Sequence, residues 1–240
     1  MAPYRLVVFD MAGTTVRDDG AVEAAFLTAA AATGLRADRD AIHARRGLSK
    51  KRVFRELWRL DGVAAEDEID RRADASHAAF RAALEEWVRT RPIRPTDGCL
   101  DCFGRLRAEG ILIALTTGFY RGVTDIILSR LGWDRGLDDA RVGIGVEEAV
   151  IQASVCSGDV AQGRPAPDMI HRAMRLLSVH SAARVVKVGD TPADLQAGRN
   201  AACGLTLAVT SGSHTAAQLA DHANDGLLAS LCDLPSALGI

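Results

Sequence analysis

Short apolar runs, each ending on a polar residue beside a glycine, constrain what this chain can fold into. Residues 5–9 are rich in β-branched side chains and stop at Asp10, after which Gly13-Thr14-Thr15 makes a turn. Residues 110–117 and 184–188 repeat the design, stopping at Thr117-Gly118 and Gly189-Asp190, and residues 205–209 form a fourth run. Unbroken rather than alternating hydrophobicity marks strands buried on both faces. Helical patterns lie between them at residues 101–108, 123–131, 167–177 and 192–201. This alternation predicts an α/β class, a doubly wound parallel-sheet core with a Rossmann-like layout. In such sheets the chemistry gathers at the carboxyl ends of the strands. Asp10, Thr117 and Asp190 all fall at such ends.

Just after the first run the alternation is interrupted. Residues 21–33, 39–45, 50–60 and 66–87 are helix-like, with Ala, Leu, Glu and Arg dominant. Residues 90–98, carrying Pro92 and Pro95, read as the return linker. The expected organisation is a core of residues 1–17 and 96–240 with a helical cap, residues 18–95, inserted into it. Asp18 and Asp19 fall in the hinge, where turn acids are common.

A formal charge of −2 gives no electrostatic reason to bind nucleic acid or a membrane surface. No apolar run approaches the roughly 18 residues needed to span a bilayer. Residues 4–9 begin the first strand without a signal-peptide pattern, so a cytoplasmic location is expected. A homodimer stays open. Cys99 and Cys102 form a C-x-x-C with no second Cys/His pair nearby, and the five cysteines read as structural thiols. Of 29 basic residues only Lys50, Lys51 and Lys187 are lysine. Arginine is the default cation, so each lysine calls for a reason.

Four segments carry candidate chemistry. In Asp10-Met11-Ala12-Gly13-Thr14-Thr15 a carboxylate at a strand end beside a glycine turn can act as a nucleophile toward phosphorus. Thr117-Gly118 offers a hydroxyl and an open backbone N–H to phosphoryl oxygens. In Gly163-Arg164-Pro165-Ala166-Pro167-Asp168 a guanidinium can offset charge developing on a transferring group. The pair Asp190 and Asp194, four apart on a loop entering a helix, suits Mg²⁺. Singly, each has a bland reading as a helix cap or a surface charge; jointly, at matching strand ends, they point to one site.

In this order, the segments resemble the four motifs of the haloacid dehalogenase superfamily, with a helical cap between motifs one and two. Within it the chain is most similar to the phosphonoacetaldehyde hydrolase (phosphonatase)-like subfamily. The carrying segments are Phe9 to Val16, Thr116-Thr117-Gly118, Gly163 to Pro167 and Lys187-Val188-Gly189-Asp190-Thr191. The resemblance implies an aspartyl-phosphate on Asp10. It implies Mg²⁺ held by Asp10, the Ala12 carbonyl and Asp190, with Asp194 in support. Phosphate would be held by Gly13, Thr14, Thr117, Gly118 and Arg164, with Gly47 in the cap, and the substrate is a small organophosphorus molecule.

Ala12 bears on which one. Phosphatases of the superfamily usually carry a second Asp two residues after the nucleophile, to protonate a departing alkoxide. Losing a positioned general acid costs roughly 10²–10⁴ in rate. Phosphonatases resemble this chain in having Ala there, because a cap lysine condenses with the substrate aldehyde and the iminium accepts the electrons of the breaking C–P bond. Only a primary amine does this. In Arg46-Gly47-Leu48-Ser49-Lys50 the lysine stands three residues after a glycine, as in that family, although Arg46 and Val53 replace the family's Met and His. Lys50 is thus open to three readings: Schiff-base residue, substrate or phosphate contact, or surface residue. Three wider alternatives also stand. They are a phosphatase of small esters that draws its acid from elsewhere, a phosphate-binding regulatory protein, and a haloacid dehalogenase proper, which the acidic pair disfavours.

Overall fold

The computed structural model describes residues 3–43 and 50–240. The chain divides into two compact units: Met1–Asp18 with Ile93–Ile240, and Asp19–Pro92.

The first unit is built on six parallel strands among the described residues: β1 (Leu6–Asp10), β2 (Leu112–Thr117), β3 (Ala153–Cys156), β4 (Val185–Gly189), β5 (Leu205–Val209) and β6 (Gly226–Leu228). Their order is β3-β2-β1-β4-β5-β6, so β1 is central, with β2 and β4 on its flanks. Register pairs Asp10 with Thr116 of β2 and Phe9 with Val188 of β4, which brings the three strand ends level. Four of these strands are legible as apolar runs in the sequence. β3 and β6, of four and three residues, are too short to show a pattern.

Every residue of β1 and β4 is buried, as continuous hydrophobicity demands of strands covered on both faces. Leu6 and Val8 join a core with Met169, Ile170 and Ala173 of α7 (Asp168–Leu176) and Ala197 of α8 (Pro192–Asn200). Phe9, of opposite pleat, meets Phe103 of α5 (Cys99–Ala108) at a ring separation of 5.2 Å, and Phe103 meets Trp133 at 5.5 Å. Trp133 itself follows the C-terminus of α6 (Arg121–Leu131). Two short helices, α9 (Ala216–Ala220) and α10 (Leu234–Leu238), complete this unit.

The second unit is helical: α1 (Ala21–Thr33), α2 (Arg39–His43), α3 (Lys50–Leu60) and α4 (Glu66–Thr90). Glycines in left-handed conformation, Gly20 and Gly34, bracket α1, and Gly34 N–H closes on the carbonyls of Ala30 and Ala31. Its core is a cluster of Phe26, Phe54 and Phe80, with ring centroids 4.7 to 6.2 Å apart. Beside it Trp58 Nε1 donates to Ser76 Oγ at 3.0 Å, and that hydroxyl also pairs with Thr33 Oγ1 at 2.9 Å.

Where the chain leaves and re-enters the first unit, its two passes run side by side. Arg17 N–H donates to Arg94 O at 3.0 Å, Thr96 N–H donates to Thr15 O at 3.0 Å, and Val16 bridges Pro95 in antiparallel fashion. Thr96 Oγ1 donates to Thr14 O at 2.6 Å. No helix among the described residues is long and apolar enough to cross a membrane.

Candidate active site

The site grows from the carboxyl end of β1. After Asp10 the chain turns on the carbonyl of Met11, which accepts from the N–H groups of Thr14, Thr15 and Val16 at 3.2, 2.9 and 2.8 Å. Gly13 adopts φ +84°, and a Cβ there would come within 2.3 Å of Asp190 Oδ2. Glycine is thus required twice, for the left-handed backbone and for the close approach. Thr15 Oγ1 donates to Asp10 O at 3.0 Å, tightening the turn behind the nucleophile candidate.

β4 delivers Asp190 and, in the first turn of α8, Asp194. Thr191 caps the helix: its Oγ1 accepts from Asp194 N–H at 3.2 Å and donates to Asp194 Oδ2 at 2.5 Å. Asp190 is held from both sides. Thr14 Oγ1 donates to its Oδ1 at 3.2 Å, while the N–H and Oγ of Ser213 donate to Oδ2, each at 2.7 Å. Oxygens of Asp10, Asp190 and Asp194 all lie within 4.8 Å of one another, and all three residues are buried.

Arg164, on the loop between β3 and α7, reaches into this group. Its Nη1 lies 2.7 Å from Asp10 Oδ1 and 2.6 Å from Asp194 Oδ1. The approach to Asp10 is a charge contact without hydrogen-bond alignment, so Asp10 Oδ1 stays a buried oxygen lacking a hydrogen bond. Thr117 ends β2 with its hydroxyl accepting from Phe119 N–H at 3.1 Å. Gly118 adjoins the guanidinium, since a Cβ on it would sit 3.2 Å from Arg164 Nη2.

Burial pushes the Asp10 carboxyl up to about 7; Arg164 works against this, and the neighbouring Asp194 charge adds to it. Burial also raises Asp190, against the hydrogen bonds from Ser213. For Asp194 burial is again the largest influence, but Arg164, Lys187 and the Thr191 hydroxyl together outweigh it and hold the carboxyl below its ordinary range. The strain of packing three acids together therefore falls on Asp10 and Asp190. Clustered carboxylates, with an Asp10 oxygen lacking a hydrogen bond, fit a hard divalent cation.

The structure thus brings together Asp10, Ala12, Gly13, Thr14, Thr117, Gly118, Arg164, Asp190 and Asp194 in the first unit. Lys50 belongs to the second, where it opens α3 with its Nζ 5.8 Å from the centroid of the Phe26 ring. Gly47 lies outside the described residues. Two site residues have no role that the sequence alone assigns. Ser213 follows β5, whose run is followed by Gly212 in the pattern of the other strands. Lys187, inside β4, places Nζ 2.9 Å from Asp194 Oδ1; its rarity in an arginine-rich chain is a signal that points to it.

Residues 4–202 match the family model described as haloacid dehalogenase-like hydrolase. The phosphonoacetaldehyde hydrolase of Latilactobacillus sakei subsp. sakei (strain 23K) is 30% identical over 209 residues, which cover 84% of this chain and 74% of that protein. A phosphonoacetaldehyde hydrolase like protein from Oleispira antarctica superimposes with a TM-score of 0.74 at 22% identity, over 99% of this chain and 92% of that one. CbbY from Rhodobacter sphaeroides, solved in complex with phosphate, gives a TM-score of 0.76 at 21% identity over 100% of both chains. Those two structures speak to the fold. The family match and the relative together place the chain: it belongs to the haloacid dehalogenase-like hydrolases, with phosphonoacetaldehyde hydrolases among its relatives.

Proposed function

We propose that this chain is a Mg²⁺-dependent hydrolase that attacks phosphorus with the Asp10 carboxylate. Its substrate on this reading is a small phosphonate with a neighbouring carbonyl, such as phosphonoacetaldehyde. The observation that carries the substrate class is Ala12, which leaves the nucleophile's own turn without an acid for a departing alkoxide. Relatives named phosphonoacetaldehyde hydrolase at 30% identity support it.

Mg²⁺ held by Asp10, the Ala12 carbonyl and Asp190, with Asp194 alongside, supplies when bound the positive charge that lets a carboxylate approach an anionic phosphoryl group. The chain's own residues do the rest. Arg164 and the Thr117–Gly118 turn hold the phosphoryl oxygens, and Gly13 and Thr14 shape the turn beneath them. On this reading the cap, residues 18–95, contributes Lys50 and Gly47. Lys50 Nζ condenses with the aldehyde and releases water. An Asp10 oxygen then bonds to phosphorus as the P–C bond breaks, and the electron pair of that bond enters the iminium to give an enamine. Water cleaves the aspartyl-phosphate to free phosphate, and hydrolysis of the enamine's iminium tautomer returns the amine.

The test is incubation with phosphonoacetaldehyde and borohydride, followed by mapping of the reduced adduct. Expected are an adduct on Lys50, its loss in Lys50→Arg, and no phosphate release from Asp10→Asn. Phosphate release with no adduct, undiminished in Lys50→Arg, would remove the Schiff-base step. Turnover of a phosphate ester with none of the phosphonate would replace the substrate class.

A further inference from the structure

One buried cation has no part in that reaction. Lys187 is 0% exposed in the middle of β4. Its Nζ lies 2.9 Å from Asp194 Oδ1 and donates to Thr116 Oγ1 at 3.2 Å. Thr116 Oγ1 in turn donates to the carbonyl of Phe9 at 3.2 Å, so its proton is committed there and a lone pair is open to the ammonium. Asp194 Oδ1 also accepts from Arg164, whose Nη1 reaches Asp10. The contacts therefore run from the Phe9 carbonyl through Thr116, Lys187, Asp194 and Arg164 to the carboxylate of Asp10. They begin and end on adjacent residues of β1.

An ammonium taken wholly out of water costs several kcal/mol unless it is well paired, so its presence calls for a partner that needs it. The pocket suits lysine and not the arginine this chain otherwise prefers. Among the described residues its Nζ meets two acceptors, fewer than the five donors of a guanidinium. Its stem is closed over by α8 at Gly198, where a Cβ would come within 3.0 Å of Lys187 Cβ.

We propose that Lys187 is a positioning residue of the site: it fixes the Asp194 carboxylate so that Arg164 stays aimed at the phosphoryl position beside Asp10. The inference rests on the reading of this cluster as a Mg²⁺-dependent phosphoryl site. Without Lys187, Asp194 has one cation fewer to hold it, and Arg164 is drawn to it in place of the substrate anion. Cation binding at Asp10 and Asp190 keeps its ligands and loses a repelling charge. Anion affinity and Mg²⁺ affinity are therefore expected to part company, whereas a residue that merely props the fold would lower both together.

The experiment is calorimetric titration of wild type, Lys187→Met and Lys187→Arg with Mg²⁺ alone, then with inorganic phosphate at saturating Mg²⁺, beside the melting temperature of each. Expected for Lys187→Met is phosphate binding weakened about tenfold or more, with Mg²⁺ binding unchanged or tighter. Lys187→Arg should restore only part of the phosphate affinity. Equal affinities in wild type and Lys187→Met, or a parallel fall in both ligands, overturns the proposal. Should Lys187→Met fail to fold, Thr116→Val removes the other partner of the ammonium and keeps the charge pair. It should weaken phosphate roughly threefold or more and leave Mg²⁺ alone, and no change there overturns the proposal equally. Wild type that binds Mg²⁺ but no phosphate sinks the phosphoryl-site reading itself; wild type that binds both, matched by its variants, sinks only the role of Lys187.

Discussion

Replacing Gly212 with alanine puts a methyl group where the site leaves no room. Its carbon would lie 2.4 Å from Asp190 Cβ, 2.5 Å from Asp190 Oδ2 and 2.6 Å from the Gly13 carbonyl oxygen. Ordinary contacts sit near ~3.5–4.0 Å, so something must give by about 1 Å. Asp190 follows directly on β4, and Gly13 is pinned within the Asp10 turn, whereas residues 210–214 are a connecting loop. The loop moves, and Ser213 goes with it. Both of its donors, each now 2.7 Å from Asp190 Oδ2, leave hydrogen-bond range. Hydrogen bonds to a charged group contribute about 1.5–3 kcal/mol each, so losing two costs about 3 kcal/mol at the low end. As far as that energy holds Asp190 in place for the cation it is lost from binding, so at 1.4 kcal/mol per factor of ten Mg²⁺ affinity should fall by up to about a hundredfold. Calorimetric titration with Mg²⁺ measures this, with Gly158→Ala as control, because nothing lies within 4 Å of a Cβ at that position. Gly212→Ala binding Mg²⁺ within about twofold of wild type would show that Ser213 does not hold Asp190 for the cation.

Three further outcomes are expected. Ser76→Ala leaves the Trp58 indole N–H without its acceptor in the aromatic core of the helical unit and should cost about 1–3 kcal/mol in denaturant unfolding; an unchanged midpoint would contradict the hydrogen bond's role. Cys99, Cys102, Cys156 and Cys203 are buried, and burial raises Cys102 to about 12 and both Cys156 and Cys203 to about 11. Only exposed Cys232 should therefore react promptly with a thiol reagent near neutral pH, the other four following on denaturation, and two fast thiols would refute this. In metal-free protein, Asp10 has its folded-state carboxyl at about 7 against 3.8 for the unstrained group. Its ionisation therefore opposes folding, a penalty absent below the lower value, growing as pH rises, and complete above the higher one. Wild type should lose melting temperature relative to Asp10→Asn as pH rises from 4 to 8 in chelator, and a flat difference would argue against it.

The reach of the sequence differed between residues within the same few ångströms. Asp10, Thr117 and Asp190 were legible because each ends an apolar run, and a parallel sheet brings such ends level. Arg164 and Asp194 followed from short local patterns. The role of Lys187 is not legible in the sequence, because its partners Asp194 and Thr116 arrive from a helix turn and from a strand two places away, with Thr116 distant by 71 residues in sequence. Ser213 hid for the same reason: a serine after a strand is commonplace until Asp190 is seen beneath it. On the fold, β6 pairs, among the described residues, with β5 alone and owes its three residues to that register, which no local pattern encodes.

The paired passes at residues 15–17 and 94–96 have a consequence for the polymer as a whole. To the α/β unit, everything beyond that neck is one loop, and the neck closes it within a few residues of the Asp10 turn. The entropy of closing a flexible loop grows only with the logarithm of its length, by about 0.6 kcal/mol per doubling. Lengthening, trimming or exchanging the material beyond the neck should then change the folding free energy of the sheet little. The turn that carries Asp10 should then keep its shape whatever the length of the insert.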